Sequence, residues 1–480
     1  MMIKMQDYKN LKLKMGLECH QQLFTTKLFC RCNTALQERN EEIQVKRKQR
    51  AVAGEAGKKD IATLFEEQKN RTFVYHGFEN EYCLVDLDEE PVHNINEKAL
   101  ETALTLAKLL KLKIPKELKI MRKIISDGSV TSAFQRTLII GTESKNSFIK
   151  TSQGKVKINQ LSLEEDACKI IKTEENHIHY SLSRLGIPLL ELTTNPDIKT
   201  PEQAKETAEI IGMILRSLET TRRGIGSIRQ DINLSVKNGA RVELKGFQNL
   251  RQMPQVIEKE IERQLSLIKE NKKIKEEVRR VKSDNTTEFL RPLSGSARFY
   301  PETDVKEITI TKQLLLKIKI PELIEEKSIK LEKYFNLSSE LAKEVIENKI
   351  NLESLSKSYP RISPRFIAQI IIEMPKELKA RLNIDYNFSS ADFQKVLELA
   401  NKSNLQKEAV LDILAKIAGN KKIDIDDYKQ VSFKEVEQEI KSILEKQPGI
   451  TKNAIMGLIM KKYSGKVNPK EVFELIKKTI

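Results

Sequence analysis

Apolar and polar residues alternate with a period of two through much of the first 311 residues of this 480-residue chain, and beyond that point the period becomes helical. The clearest case is Leu11 to Gln21. Leu11, Leu13, Met15, Leu17 and Cys19 are apolar, and the intervening Lys12, Lys14, Glu18 and His20 are polar. A strand sends successive side chains to opposite faces, so Glu18 and His20 project together, ~7 Å apart at their Cα atoms. Arg229, Asp231, Asn233 and Ser235 form a second ladder, opposite Gln230, Ile232, Leu234 and Val236. Arg241, Glu243 and Lys245 form a third, opposite Val242 and Leu244. One such ladder describes the wet side of an antiparallel sheet. Several acid-rich ladders in one domain predict a concave, charged face suited to metal and phosphate.

Two more segments add carboxylates. Leu163-Glu164-Glu165-Asp166 packs three acids together, which repel unless cations or hydrogen bonds offset them. Ile187 to Leu192 is an apolar run holding one carboxylate, Glu191, on the face of Ile187 and Leu189, where it needs a partner. A solvent-facing strand edge or strand end would carry the same residues.

The predicted class is α+β, with an antiparallel sheet followed by helices. Thr200, Pro201 and Gln203 read as N-cap, first helical position and capping box. Residues 255–281 read as one long charged helix over the sheet. After Thr311, amphipathic helices are predicted at Ser338–Asn348, Pro364–Met374, Ala391–Asn401 and Gln406–Ile417. Domain boundaries are expected near residues 311 and 386, giving 1–310, 311–385 and 386–480.

A net charge of +16 and a pI near 9.3 point to a polyanionic partner. Lys46-Arg47-Lys48-Gln49-Arg50 with Lys58-Lys59 reads as an exposed basic loop, and the last 30 residues carry seven lysines against two glutamates. No apolar run approaches the roughly 18 residues of a membrane helix. The N-terminal residues lack a signal-peptide core, so a cytoplasmic protein without a membrane partner is expected. Five cysteines are an odd number with no repeated CxxC pair. Cys30-Arg31-Cys32 could be half of a zinc site, but no second pair follows at finger-like spacing, and buried or incidental reduced thiols are expected. GxxxxGK[ST], GxGxxG and GxSxG motifs are absent.

In family order, Gly16-Leu17-Glu18-Cys19-His20-Gln21-Gln22-Leu23, Leu163-Glu164-Glu165-Asp166-Ala167 and Gly186-Ile187-Pro188-Leu189-Leu190-Glu191 resemble the GatB/GatE family of tRNA-dependent amidotransferase subunits. Gly226 to Asn233, Glu243-Leu244-Lys245, Arg298 to Asp304, Met456-Gly457 and Gly465 to Pro469 continue the likeness. Cys83 to Pro91, Arg122-Lys123, Asp127-Gly128-Ser129, Phe134 to Thr137 and Arg291-Pro292 are closer to GatE than to GatB. The inserted domain that GatE proteins usually carry before the Arg-Pro segment, similar to part of aspartyl-tRNA synthetase, has no counterpart.

The resemblance implies a cradle-shaped catalytic domain, a helical domain and a YqeY-like tail that contacts tRNA. It implies conversion of Glu-tRNA(Gln) to Gln-tRNA(Gln), with ATP phosphorylating the γ-carboxylate before ammonia displaces phosphate. Mg²⁺, or Mn²⁺ as the alternative, is expected on Glu18, His20, Glu165 and Glu191. Arg241, Glu243 and Lys245 are expected near phosphate, and Asp231 and Asn233 near substrate or water. The implied partner is the asparaginase-like amidase GatD, in a heterotetramer of two GatD and two GatE chains. Two alternatives stand beside this: a GatB-type protein in a GatCAB complex, also serving Asp-tRNA(Asn), and a tRNA-binding scaffold without catalysis. A purely structural metal site is a third.

Overall fold

The computed structural model describes residues 5–247, 249–295, 298–403, 405–424, 428, 433–447, 449–463, 467 and 469–479. The chain divides into two units, Met1–Glu322 and Leu323–Ile480. Ser296, Ala297, Pro448, Gly465, Lys466 and Asn468, which belong to the motifs and breakers of the sequence, lie outside the described residues.

The first unit contains strands β1 (Lys14–Gln22), β2 (Glu41–Arg47), β3 (Thr72–Phe78), β4 (Glu117–Leu118), β5 (Ile120–Ile124), β6 (Phe134–Thr142), β7 (Phe148–Thr151), β8 (Gly154–Glu165) and β9 (Lys169–Thr173). It continues with β10 (His177–Ser181), β11 (Pro188–Thr194), β12 (Ile228–Ser235), β13 (Val242–Lys245), β14 (Glu277–Val281), β15 (Thr287–Pro292), β16 (Phe299–Pro301) and β17 (Ile308–Thr309). Its helices are α1 (Met5–Asn10), α2 (Ile61–Gln68), α3 (Glu97–Leu109), α4 (Pro201–Arg216), α5 (Met253–Lys269) and α6 (Lys312–Lys317). The large sheet has the order β15-β14-β13-β12-β1-β11-β8-β6-β5-β16, with β7 paired to β8. A smaller sheet has the order β2-β3-β10-β9.

In β1 the apolar ladder Met15, Leu17 and Cys19 is buried with Ala204, Ala208, Ile211 and Leu215 of α4. Leu138, Ile140, Leu161, Leu163, Leu190 and Leu192 continue that layer, and α3 closes it over β6 and β8. Helices therefore cover one face of the sheet, and the polar ladders occupy the other. At the start of α4, Thr200 Oγ1 accepts from the Gln203 N–H at 3.1 Å, as the cap pattern predicts, while Gln203 Oε1 accepts from Lys199 rather than closing the box on Thr200.

The long helix expected over 255–281 is two elements. Helix α5 stops at Lys269, Asn271 adopts a left-handed φ of 53°, and residues 277–281 form β14, whose Val278 is fully buried beside β13. The charged run conceals a strand.

The second unit is helical, from α7 (Ile324–Phe335) to α16 (Pro469–Thr479). Helices Ser339–Glu347, Ser390–Ser403 and Lys407–Ala418 match the expected ones within two residues. The one expected at Pro364–Met374 instead widens into a π turn at Gln369–Glu373 and runs on to Leu382. Pro375 has no N–H to give the preceding turn, which accounts for the irregular winding. One apolar cluster spans Leu337 to Tyr428, across the division expected near residue 386, and a separate one spans Val436 to Ile476. No helix among the described residues is long and apolar enough to cross a membrane.

Candidate active site

Register on the large sheet assembles the site. His20 of β1 lies opposite Glu191 of β11 on one side and Arg229 of β12 on the other, and Glu18 lies opposite Asp231. Glu191 is opposite Ser162 of β8, so Glu164, two residues on, shares its face. Thr137 pairs with Glu164, and Gln135 pairs with Lys123 of β5, extending the face to that strand. On the other flank Asn233 pairs with Glu243 of β13.

The side chains converge on His20. Its Nε2 lies 3.3 Å from Glu18, 3.8 Å from Glu191 and 3.9 Å from Glu164. Lys123 Nζ reaches Glu164 at 3.1 Å and Glu191 at 3.6 Å. Lys245 Nζ bridges Asp231 at 2.6 Å and Glu243 at 2.7 Å, and Arg241 donates to Asn233 at 3.0 Å. Arg229 is held by the buried Asp166 at 2.8 Å, which also accepts from Gln22. A cavity of about 460 Å³ lies over this face, lined in part by Glu18, His20, Lys123, Glu164, Arg291 and Arg298.

Of five carboxylates on this face, Glu164 and Glu191 pair with Lys123, Asp231 and Glu243 pair with Lys245, and Glu18 lies against His20. Burial, then the charge of Glu191, raises Glu18 to about 8. The same two causes raise Glu164 to about 7. Burial would raise Glu191 too, but Lys123 and His20 outweigh it and hold it at about 2. Burial lowers the pKa of His20. Buried carboxylates pushed upward beside an imidazole that burial makes harder to protonate lack positive charge. Glu18, His20 and Asp231 form one set whose ligand atoms lie within 4.8 Å of one another, and His20, Glu164 and Glu191 form another. This donor set fits a hard divalent cation.

Of the residues singled out in the sequence, Glu18, His20, Glu191, Asp231, Asn233, Arg241, Glu243 and Lys245 all line this cavity. Glu165 does not. It pairs with Pro188, on the face opposite to Glu164, and its carboxylate accepts from the Arg136 backbone at 3.1 Å and lies 3.4 Å from the Arg136 guanidinium. Arg136 in turn binds Glu302 at 2.6 Å, and Glu302 also pairs with Arg122. Three acids in a row give no phase, and the strand's alternation assigns the site position to Glu164.

Several contributors carry no signal in the sequence. Lys123 stands in a family-like motif without a role, and only pairing between β5 and β6 brings it to the acids. Arg298 lines the cavity with its Nε buried and without a hydrogen-bond partner among the described residues. Asp60, Thr63 and Glu66 of the α2 segment form part of the wall.

Away from this face, Cys30, Cys32, Cys83 and Asp86 gather with ligand atoms within 4.8 Å of one another. The fully buried Lys27 binds Asp86 at 2.9 Å. Three of the five cysteines are therefore clustered, and all five are free thiols, with Cys19, Cys30 and Cys168 buried. The second half of the set comes from a turn 51 residues beyond Cys32, at a spacing that no finger pattern describes.

Comparison with known proteins bears on both regions. A model of the GatB/GatE catalytic domain matches residues 13–316. The E subunit of glutamyl-tRNA(Gln) amidotransferase from Methanococcus vannielii is 32% identical over 97% of this chain and 97% of its own length. The corresponding E subunit of Methanocaldococcus jannaschii is 32% identical over 99% of each chain, and that of Archaeoglobus fulgidus 30% identical over 99% of each. The Methanococcus vannielii alignment runs over 618 positions against 480 residues here, so at least 138 residues of that relative have no counterpart in this chain.

Proposed function

The chain belongs to the GatB/GatE family, and from that premise we propose that it is the activating subunit of a glutamyl-tRNA(Gln) amidotransferase, an ATP-dependent ligase that converts Glu-tRNA(Gln) to Gln-tRNA(Gln). The carrying observation is the convergence of Glu18, Glu164 and Glu191 on His20 across three neighbouring strands.

A free carboxylate resists amines, because its charge repels the nucleophile and oxide is a poor leaving group. Transfer of the γ-phosphoryl group of ATP to the glutamyl γ-carboxylate replaces oxide with phosphate as the leaving group, and ammonia then displaces it. Glu18, His20, Glu164 and Glu191 would hold Mg²⁺, or Mn²⁺. Such an ion supplies positive charge beside the transferring phosphoryl group. Arg291 and Arg298 offer guanidinium donors to phosphate oxygens at the cavity wall. Lys123 holds Glu164 and Glu191 in place, and Lys245 does the same for Asp231 and Glu243. Asp231 and Asn233 position substrate or water.

Full-length likeness to E subunits favours GatD as the amidase partner, with two GatD and two GatE-like chains in a cytoplasmic complex. In this reading residues 1–310 are the cradle-shaped catalytic domain, 311–385 a helical domain, and 386–480 a YqeY-like tail that reaches tRNA. The test supplies the assembled complex with Glu-tRNA(Gln), ATP and free ammonia, without glutamine. Gln-tRNA(Gln) should form. A complex that makes product from glutamine yet none from ammonia would defeat the assignment of activation and amidation to this chain.

A further inference from the structure

One wall of the cavity carries exposed apolar side chains on its outer side. Helix α2 turns Ala62 and Thr63 inward, where they are buried against the cavity, and turns Ile61 and Leu64 outward, 60% and 37% exposed. Its Phe65 meets Phe289 of β15 edge-on at 5.8 Å between ring centres. Phe289 is itself 49% exposed, and the adjacent Leu290 38%. The Asp60 carboxylate fixes this arrangement by accepting from Ala62 at 2.9 Å and from Gly295 at 2.6 Å, which ties the helix start to the segment after β15. In the segment before the helix, Arg50, Lys58 and Lys59 are exposed, and none has a carboxylate within ion-pair distance among the described residues.

We propose that this wall, formed by Lys58, Lys59, Ile61 and Leu64 with Phe289 and Leu290, receives the single-stranded 3′ end of the substrate tRNA. The inference rests on the function proposed above, in which the amino acid esterified to that end must enter the adjoining cavity. An exposed aromatic ring flanked by aliphatic side chains and uncompensated cations is the chemistry that takes unpaired nucleotides, with bases against the apolar surface and phosphates against lysines. A protein partner fits less well, since interfaces between proteins are depleted of lysine.

The test measures binding of deacylated tRNA(Gln), intact and trimmed of its unpaired 3′ nucleotides, to the complex with its amidase partner. The wild type should bind the trimmed tRNA at least about tenfold more weakly, as the loss of one or two stacked bases implies. In K58E/K59E and in Phe289→Ala the difference should shrink below about threefold, as coupled groups in a double-mutant cycle require. K58E/K59E should also flatten the dependence of log Kd on log salt by about one to two. Equal preference for intact RNA in wild type and both variants, at unchanged melting temperatures, overturns the proposal. Variants that bind both RNAs normally but lose the amidase would assign the patch to a protein and overturn it equally. K58E/K59E changes only exposed side chains, so the outcome stands even if Phe289→Ala fails to fold. A wild type that discriminates the RNAs but cleaves no ATP would defeat the proposed function while leaving the surface intact.

Discussion

The two acids at positions 164 and 165 are neighbours in sequence and belong to different environments. Glu164 stands 3.9 Å from His20, whereas Glu165 is bound to Arg136 on the other face. Glu164→Gln should therefore lower tRNA-dependent ATP cleavage by at least about a hundredfold, the scale expected when a fixed electrostatic group is lost from a transition state. Glu165→Gln should lower the melting temperature and cost ATP cleavage at least about tenfold less than Glu164→Gln. Equal losses in a single-turnover assay would mean that the register argument fails. Alternation within β1 and β12 made Glu18, His20, Asp231 and Asn233 legible from sequence, because apolar residues at alternate positions, Leu17 and Cys19 in β1 and Ile232 and Leu234 in β12, set the phase. The run Glu164-Glu165-Asp166 has no such flank on one side, and its phase comes from pairing with β11. The neighbouring ion-pair network carries a pH signature. Burial would raise Glu302, but its bonds to Arg122, the Asp304 backbone and Arg136 prevail and hold it at about 2, against an ordinary 4.5. A depressed carboxylate stabilises the fold above about pH 4.5, and that stability is lost as pH falls toward 2. It is worth on the order of 2 kcal/mol after allowance for solvent screening. Urea midpoints between about pH 3 and 6 should fall steeply in the wild type and less so in Glu302→Gln.

Elements with a local signature were legible, and those defined by their neighbours were not. The start of α4 is written in Thr200 and Pro201, and Thr200→Ala removes the bond to the Gln203 N–H, which should cost about 1 kcal/mol in urea titration. The end of α5 is not written that way. Lys, Glu and Arg suit an exposed helix and an exposed strand alike, and β14 exists because Val278 pairs beside Glu243 of β13. The thiol cluster shows the same limit. Cys30 and Cys32 were visible as a pair, but the turn holding Cys83 and Asp86 joins them only through the packing that buries Lys27 between the two segments. Three thiols and a carboxylate beside one buried cation match the donors of a structural zinc site. Protein purified without chelator should carry about one zinc per chain beyond any ion at the acid cluster, and Cys83→Ser should release it. Full zinc content in that variant, read by elemental analysis, would show that the cluster holds no metal.

At the scale of the molecule, the change of period near residue 311 was legible as the passage from a sheet-bearing unit to a helical one. The finer division near 386 was not, since a run of amphipathic helices does not say which helices share a core. The apolar clusters answer that: one ends at Tyr428 and the next begins at Val436. The second cluster is built from Val436, Ile440, Ile455, Ile459, Val472 and Ile476 within one three-helix group, and Lys452, Lys461, Lys462, Lys477 and Lys478 are exposed on it. A group with its own core and a lysine-rich surface can be removed without taking residues from the Leu337–Tyr428 cluster. A chain ending at residue 432 should keep the main thermal transition of the full protein, because neither the large sheet nor the Leu337–Tyr428 cluster draws on the lost residues. Its affinity for tRNA(Gln) should fall at least about tenfold at roughly 0.15 M salt, and the slope of log Kd against log salt should lessen by about two or more, as the loss of several phosphate contacts demands. Unchanged slope with weaker binding would mean that the tail orients the RNA by shape. Unchanged affinity would leave the first unit as the main holder of the polyanion and the net charge of +16 as a property of surface solvation.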